Sequence, residues 1–331
     1  MNEPLAPAAK KPLISLVAPC FNEAEVFAQL RRELVALAER LADRYDCEFV
    51  LVDDGSRDAT WSLIAAFAAA DPRVRGVALS RNFGHQLALT AGCDAAAGDA
   101  VVSLDADLQD PPAVVPELVR EWEKGADVVY AVRRARQGET GMKLLTAKWF
   151  YRLFRRIGGA AAPDNVGDFR LLSRRAMTAF GQLREHHRYL RGLVGWMGFR
   201  TATVEYDRAA RAAGATHYPW KKMIRFAADA IVSFSAFPLR LNFVFGALAA
   251  AAAFGFWLAT ALHGWATGRP LPAGWSSLTL TVALFGTLIL LGLGVLGEYV
   301  GRIYAETQRR PLYFVRETVG PPPPTAPSAG K

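Results

Sequence analysis

Over the first 210 residues, short apolar runs alternate with longer stretches in which apolar positions recur every three or four residues. LISLVAP (13–19), EFVLVDD (48–54), VRGVALS (74–80), AVVSLDA (100–106) and DVVYAV (127–132) read as strands buried on both faces. Helical spacing fills the intervals near 23–43, 58–70, 84–97 and 112–124. Alternation of this kind predicts an α/β domain built on a mostly parallel sheet with helices on both faces. Such sheets bind ligands beyond the carboxyl ends of their strands. The clusters PCFNE, DDGS and DADLQD fall at the ends of the first, second and fourth runs, so three polar segments converge on one edge.

The pattern changes after residue 210. From Leu241 to Leu262 and from Ser276 to Gly297 no residue is charged, and each run has the ~20 residues that a membrane-spanning helix needs. HGWATGRPLPAGW joins them, and Trp257, Trp265 and Trp275 are placed as interfacial anchors of a hairpin. Lys221, Lys222, Arg225 and Arg240 precede the hairpin and Arg302, Arg309 and Arg310 follow it, whereas the joining segment holds only Arg269. The positive-inside bias then puts both ends and the N-terminal domain in the cytoplasm. Between domain and hairpin, Trp220, Met223, Ile224, Ala227, Ile231 and Phe234 recur at helical spacing opposite Lys221, Lys222, Arg225 and Asp229. This segment reads as an amphipathic helix lying on the membrane surface.

Composition narrows the picture. The chain of 331 residues carries a formal net charge of +8, which suits an anionic partner such as a lipid surface or a phosphorylated ligand. A nucleic acid is not expected, because the basic residues gather at the membrane flank without a recognised motif. Cys20, Cys47 and Cys93 are widely spaced and odd in number, which argues against a disulfide framework or a zinc site. MNEPLAPAAKK lacks an apolar core, so no signal peptide is expected. GPPPPTAPSAGK is too rich in proline to pack and is expected to be disordered.

The densest polar cluster is SLDADLQDPP (103–112), where crowded carboxylates repel one another unless a cation or a proton offsets them. An EF-hand loop counted from Asp105 would need Gly and Glu where Asp110 and Pro116 stand, so that reading fails. An aspartate-nucleophile phosphatase lacks its acidic pair and lysine downstream. Asp110 reads as the cap of a helix opened by Pro111 and Pro112. Asp105, Asp107 and Gln109 alternate at a strand end and can point to one side, a hard-oxygen set suited to Mg²⁺ or Mn²⁺.

PCFNEAE, VDDGSRDAT, SRNFGHQLALTAG and SLDADLQDPP, in this order and spacing, resemble the GT-A nucleotide-sugar fold of family 2 glycosyltransferases. GDFRLLSRRAM, RYLRGLVGWMG, ARAAGATHYPWKKMIRFAADAIVSFSAFPLR and GEYVGRIYAE narrow the resemblance to the polyprenyl-phosphate glycosyltransferases, over residues 12–313. The resemblance implies that Pro19, Phe21, Glu23 and Asp53 hold the base and ribose, with Asp105 and Ala106 lining the nucleotide. Asp107 and Gln109, with Asp105 beside them, match the metal positions. Arg133 and Arg211 match basic residues near the phosphates, and Asp168 and Arg170 match the acceptor and reaction centre. Asp168 would orient the acceptor or, less readily, take a proton; Arg188 and Arg191 are further candidates for the lipid phosphate.

The implied reaction is transfer from a nucleotide-diphospho-sugar, UDP-glucose first, to undecaprenyl phosphate with inversion at the anomeric carbon. Mannose, N-acetylhexosamine, galactose and aminoarabinose stay open, as does assembly into homo-oligomers. The implied organisation is a flexible N-terminus (1–11), a GT-A domain (12–210), a linker with the interfacial helix (211–240), a membrane hairpin (241–300) and a cytoplasmic tail (301–331). The implied location is a bacterial inner membrane. A processive polysaccharide synthase would need more spans and a QxxRW segment, where this chain has RYLRGLVGW. A silent nucleotide-sugar scaffold would be expected to have lost Asp107 or Gln109.

One departure from the family pattern is testable. His217 stands where the resemblance places a lysine facing substrate phosphates, six residues after Arg211. An imidazole of ordinary pKa ~6.5 is raised by neighbouring phosphates, so its charge is present below that raised value and lost above it. Transfer activity should therefore fall as pH rises through the raised pKa, and His217→Lys should keep its activity at higher pH. Superimposable pH profiles for wild type, His217→Lys and His217→Ala would mean that His217 only packs on Tyr218 while Arg211 or Lys221 carries the charge.

Overall fold

The structure, a computed structural model, describes residues 10–134, 166–207, 237–268 and 274–322. It divides into two compact units, one carrying a sheet and the other two long helices. In the first unit the strands are β1 (Leu13–Cys20), β2 (Asp46–Asp53), β3 (Val74–Leu79), β4 (Ala100–Ser103), β5 (Val128–Arg133), β6 (Val166–Ser173), β7 (Thr201–Tyr206) and β8 (Val315–Val319). The helices are α1 (Phe27–Leu41), α2 (Thr60–Ala70), α3 (His85–Ala95), α4 (Val115–Glu123), α5 (Arg174–Gln182) and α6 (Leu190–Trp196). The five strands and four helices legible in the apolar pattern are all present.

The sheet runs β7-β5-β6-β4-β1-β2-β3-β8. The β4-β1-β2-β3 core is parallel, β6 lies antiparallel to both β4 and β5, and β8 is antiparallel to β3. β1 is central, with β2 and β4 on either side, so the chain order reverses across it and opens a crevice at the carboxyl ends. α1 buries Phe27, Leu30, Leu34, Leu37 and Leu41, one stripe at helical spacing. Phe67 of α2 stacks on Phe49 of β2 at 6.0 Å and takes the edge of Phe27 at 6.4 Å. On the other face α3 lies close to the sheet because Gly92 leaves no side chain between it and Val17.

Residues 301–331, grouped as a tail in the sequence reading, contribute β8, and this corrects the domain limits of 12–210. VRETV pairs with β3 from Gly76–Val319 to Leu79–Val315, covering what would otherwise be an open edge. Trp61 donates its indole N–H to Glu317 at 3.1 Å, and Arg75 donates to the carbonyls of Pro321 (2.8 Å) and Pro322 (2.9 Å). A five-residue strand next to a charged segment gives too little periodicity to be seen in the sequence.

In the second unit α7 (Phe237–Thr267) and α8 (Trp275–Thr307) follow. Phe237–Arg240, assigned to the interfacial segment, form the first turn of α7; the rest of that segment lies outside the described residues. Within these helices, Phe237–Thr267 and Leu280–Thr307 are long and apolar enough to cross a membrane, with mean hydropathies of 1.8 and 2.3. Their side chains are not buried in the protein: Phe243, Leu248, Phe254, Trp257 and Leu290 all stand exposed. The two helices pack on each other where Asn242 lies over Gly292, a position at which any Cβ would clash.

Below the sheet, away from the carboxyl ends, lies a buried ion pair. Glu48 accepts from Ser15 Oγ and from the Ala97 amide, both at 2.5 Å, and faces Arg75 Nη1 at 3.4 Å. Replacing Glu48 with Ala would strand the guanidinium and unpair the amide, so it should destabilise the protein by about 3 kcal/mol. Chemical denaturation of the two purified proteins measures this; an unchanged midpoint would show that the carbonyls around Arg75 compensate for it alone.

Candidate active site

The loops at the carboxyl ends of β1, β2 and β4 fix one another. After β1, Asn22 takes a positive φ of 55° and accepts from the Arg57 amide at 2.9 Å, while its own N–H donates to Ser56. Asp53 at the end of β2 is fully buried; one oxygen accepts from the Ser56 amide at 3.1 Å and the other has no hydrogen-bond partner. Gly55 follows in the left-handed region, and a side chain there would run into the Arg81–Asn82 backbone. Asp54 accepts from the amides of Phe83 (2.7 Å) and Gly84 (2.9 Å), which pins the loop leading into α3. Burial raises the Asp54 pKa despite those two amides. Phe21 stands 43% exposed at the rim.

The segment after β4 has two different halves. Asp107 is held by Gln109, which donates its backbone N–H at 3.1 Å and its side-chain amide at 2.6 Å. In this arrangement Gln109 orients the Asp107 carboxylate through two donated hydrogen bonds. Asp110 does not cap the helix that follows, contrary to the sequence reading. It is fully buried and accepts from Tyr206 at 2.5 Å and from Arg133 at 3.1 Å. Arg133, assigned to the phosphates, therefore spends its charge on Asp110.

Asp168 on β6 lies 6% exposed among donors from four directions. Arg170 Nη2 approaches it at 2.7 Å, Gln86 Nε2 at 3.2 Å, Arg191 through Nε and Nη2 at 3.3 Å, and His85 Nε2 at 3.5 Å. Burial opposes its ionisation, but His85, Arg191 and Arg170 outweigh burial and hold its pKa well below the usual carboxylate range. His85 Nε2 also lies 3.6 Å from Asp105. Burial works against the charged imidazole, yet Asp168 and Asp105 raise its pKa above the ordinary value. Asp105 itself is pushed up to about 6 by burial and by the charges of Asp110, Asp168 and Asp107, with His85 opposing them.

The structure thus brings together Asp105, Asp107, Gln109, Asp168, Arg170 and Arg191 of the sequence-predicted residues. Arg170 is 2% exposed and also faces the carbonyls of Gly167 and Leu190, so it supports Asp168 and does not reach an acceptor. Arg188 belongs elsewhere: it lies over Phe180, donates to the Leu183 carbonyl, and burial together with Arg184 lowers its pKa. Arg211 and His217 lie outside the described residues. His85 and Gln86 received no role from the sequence, although they directly follow Gly84, whose φ is 96°, at the start of a helix beside a strand-end crevice.

Among the described residues, no three His, Cys, Asp or Glu side chains gather closely enough to hold a metal by themselves. Asp105 and Asp107 nevertheless fit Mg²⁺ or Mn²⁺, which bind through one or two carboxylates and take substrate phosphates as further ligands. Burial raises the Asp105 pKa, and the neighbouring carboxylates Asp110, Asp168 and Asp107 raise it further, a crowding of negative charge that a cation would offset.

Residues 15–180 match the family described as Glycosyl transferase family 2. The chain is 42% identical to the uncharacterized glycosyltransferase YkcC of Bacillus subtilis, over 92% of its own length and 94% of the relative's. It is 42% identical to the bactoprenol glucosyl transferase of Shigella phage SfII, over 92% of this chain and 98% of that one. Among solved structures it is similar to glucosyl-3-phosphoglycerate synthase from Mycobacterium tuberculosis, crystallised with Mn²⁺, uridine diphosphate and glucosyl-3-phosphoglycerate. That match has a TM-score of 0.48 and 21% identity and covers 67% of this chain and 78% of that one.

The electrostatics of Asp105 give a prediction for the metal-free protein. A carboxyl whose folded pKa lies above its ordinary value destabilises the fold once ionised, so the penalty is present above about pH 6 and absent below pH 3.8. In metal-free buffer at pH 7, Asp105→Asn should raise stability by about 1 to 2 kcal/mol, with the gain shrinking as pH falls to 5. Thermal unfolding at both pH values measures it; a loss of stability at pH 7 would show that the ionised carboxylate is stabilised by its surroundings.

Proposed function

The chain belongs to glycosyl transferase family 2 and is a glycosyltransferase, and from that premise we propose that it transfers glucose from UDP-glucose to the phosphate of a membrane polyprenyl phosphate. The high identity to bactoprenol glucosyl transferases along nearly the whole chain, hairpin included, supports the acceptor and the sugar. The observation that carries the reading is the pair Asp105 and Asp107 at a sheet edge where, among the described residues, Asp54, Asp110 and Asp168 already have their partners. Mannose, N-acetylhexosamine and aminoarabinose are the alternative sugars for the same site.

The residues divide the work. Asp53 holds one buried oxygen without a partner, which suits an N–H donor on a nucleotide base, and exposed Phe21 offers the face of a ring beside it. Pro19, Glu23 and Ala106 complete the nucleotide side. Asp105 and Asp107 would hold Mg²⁺ or Mn²⁺, and the cation would neutralise the departing nucleotide diphosphate. Gln109 keeps Asp107 turned toward that position. Asp168 is surrounded by guanidinium and amide donors and held ionised, so it serves as an anchor for Arg191 and is a poor proton acceptor. No strong base is required, because a phosphate monoester with a second pKa of ~6 is largely dianionic at neutral pH. The task of the protein is to bring two anions into line, and positioning with charge neutralisation dominates the barrier. Attack from the side opposite the nucleotide inverts the anomeric configuration.

The two apolar helices, whose side chains are exposed along their length, supply the bilayer location that a polyprenyl acceptor demands. The basic residues flanking them support a cytoplasmic side of a bacterial inner membrane for the catalytic unit and both ends.

The purified protein, given undecaprenyl phosphate and a panel of nucleotide sugars, should form glucosyl-phospho-undecaprenol from UDP-glucose, detected by mass spectrometry of the lipid. Chelation should abolish formation and added Mg²⁺ or Mn²⁺ should restore it. Asp107→Asn should lower kcat/KM on the order of 100-fold or more while leaving the fold intact. Full turnover in metal-free buffer, or by Asp107→Asn, would remove the metal from the mechanism; a different sugar on the lipid would reassign the donor.

A further inference from the structure

His85 stands at the first turn of α3 with its Nε2 3.6 Å from Asp105 Oδ1 and 3.5 Å from Asp168 Oδ2. Asp105 closes β4 on the nucleotide side, and Asp168 lies on β6, the neighbouring antiparallel strand, on the side of Arg191. The His85 imidazole therefore lies within 3.6 Å of both carboxylates. The ring is also held from behind. Asp54 accepts from the Phe83 and Gly84 amides at 2.7 and 2.9 Å, which fixes the backbone entering the helix. The next residue, Gln86, donates to Asp168 at 3.2 Å and accepts from the Leu190 amide at 3.1 Å, which ties the same turn to α6. The imidazole side chain is 44% exposed, so it faces the open space between the two carboxylates and is not packed away.

Resting on the transferase reading, we infer that His85 is a positioning residue that sets the donor-side Asp105 against the acceptor-side Asp168 and Arg191. Two carboxylates on neighbouring strands repel, and a donor group between them fixes their separation. The reaction requires the anomeric carbon and the attacking phosphate oxygen to meet in line, and a displacement of about 1 Å in such a geometry costs on the order of 100-fold in rate. His85 acts on the alignment of two sites that each remain able to bind. Its removal is therefore read in kcat more than in either KM.

The test uses the full chain in nanodiscs. His85→Leu should lose kcat by about 30- to 100-fold, with KM for UDP-glucose and for undecaprenyl phosphate each changing by less than about threefold. His85→Lys, which keeps a donor able to face both carboxylates, should recover to within about tenfold of wild type. A His85→Leu protein with wild-type kcat, or one in which His85→Lys is no better than Leu, overturns the inference. A second measurement does not depend on the reaction: the imidazole ¹⁵N resonances of His85 should shift in Asp105→Asn and, separately, in Asp168→Asn. A response to only one of the two carboxylates overturns the bridge. If the wild type makes no lipid-linked sugar from any nucleotide sugar, the transferase assignment of the acceptor falls, and the resonance shifts alone decide whether His85 joins the two carboxylates.

Discussion

Crowded negative charge at one edge of the sheet is the constraint on which the site depends. Asp53, Asp54, Asp105, Asp107, Asp110 and Asp168 all arrive there because the carboxyl ends of β1, β2 and β4, together with β6, open onto one crevice. Each is compensated differently. Asp54 uses two loop amides, Asp110 uses Arg133 and Tyr206, and Asp168 uses Arg170, Arg191, Gln86 and His85. When these partners are assigned, Asp107 is left, among the described residues, with the amides of Gln109, and Asp105 with His85. Among the described residues, positive charge is thus sparse beside those two carboxylates. A divalent cation with a nucleotide diphosphate, as in the proposed function, would supply it there and turn the excess of acid into selectivity for a metal-bound anion.

The same accounting separates two kinds of arginine. In a chain with a net charge of +8, any arginine near the crevice looks like a phosphate ligand from sequence. Burial and pairing decide otherwise: Arg170 and Arg133 each neutralise a buried carboxylate, and Arg188 faces away toward Phe180. Arg191 is different because its side chain keeps 30% exposure while it pairs with Asp168. A guanidinium held in place and still open to solvent is ready to meet a second anion.

Local pattern carried much of the fold. Buried parallel strands are continuous apolar runs, so β1 to β5 were legible, and the uncharged runs marked α7 and α8. β6 was quoted only as the motif GDFRLLS, because its buried Asp168 and Arg170 interrupt the apolar run as a pair that becomes neutral only in three dimensions. β8 was missed because its partner, β3, lies more than two hundred residues earlier in the chain. In the site, the carboxylates after β4 were legible as a dense cluster. His85 and Gln86 were not, since each is one polar residue at the start of a helix and its meaning lies in what β6 and α6 bring to it.

Stability and function pull against each other at Asp105. A carboxylate pushed up to about 6 by burial costs the empty protein free energy at neutral pH. An amide at this position would avoid that cost. Asp105 stands beside Asp107 with His85 as its ion-pair partner among the described residues, which leaves the region rich in negative charge. If Asp105 and Asp107 hold a cation together with the donor, that cation would offset this cost and contribute to donor affinity. Under the proposed function, the second anion, the lipid phosphate, would then meet an edge whose charge the first has balanced. Electrostatics would favour that order: the carboxylates repel an anionic acceptor, and a cation held by Asp105 and Asp107, together with Arg191, would attract it.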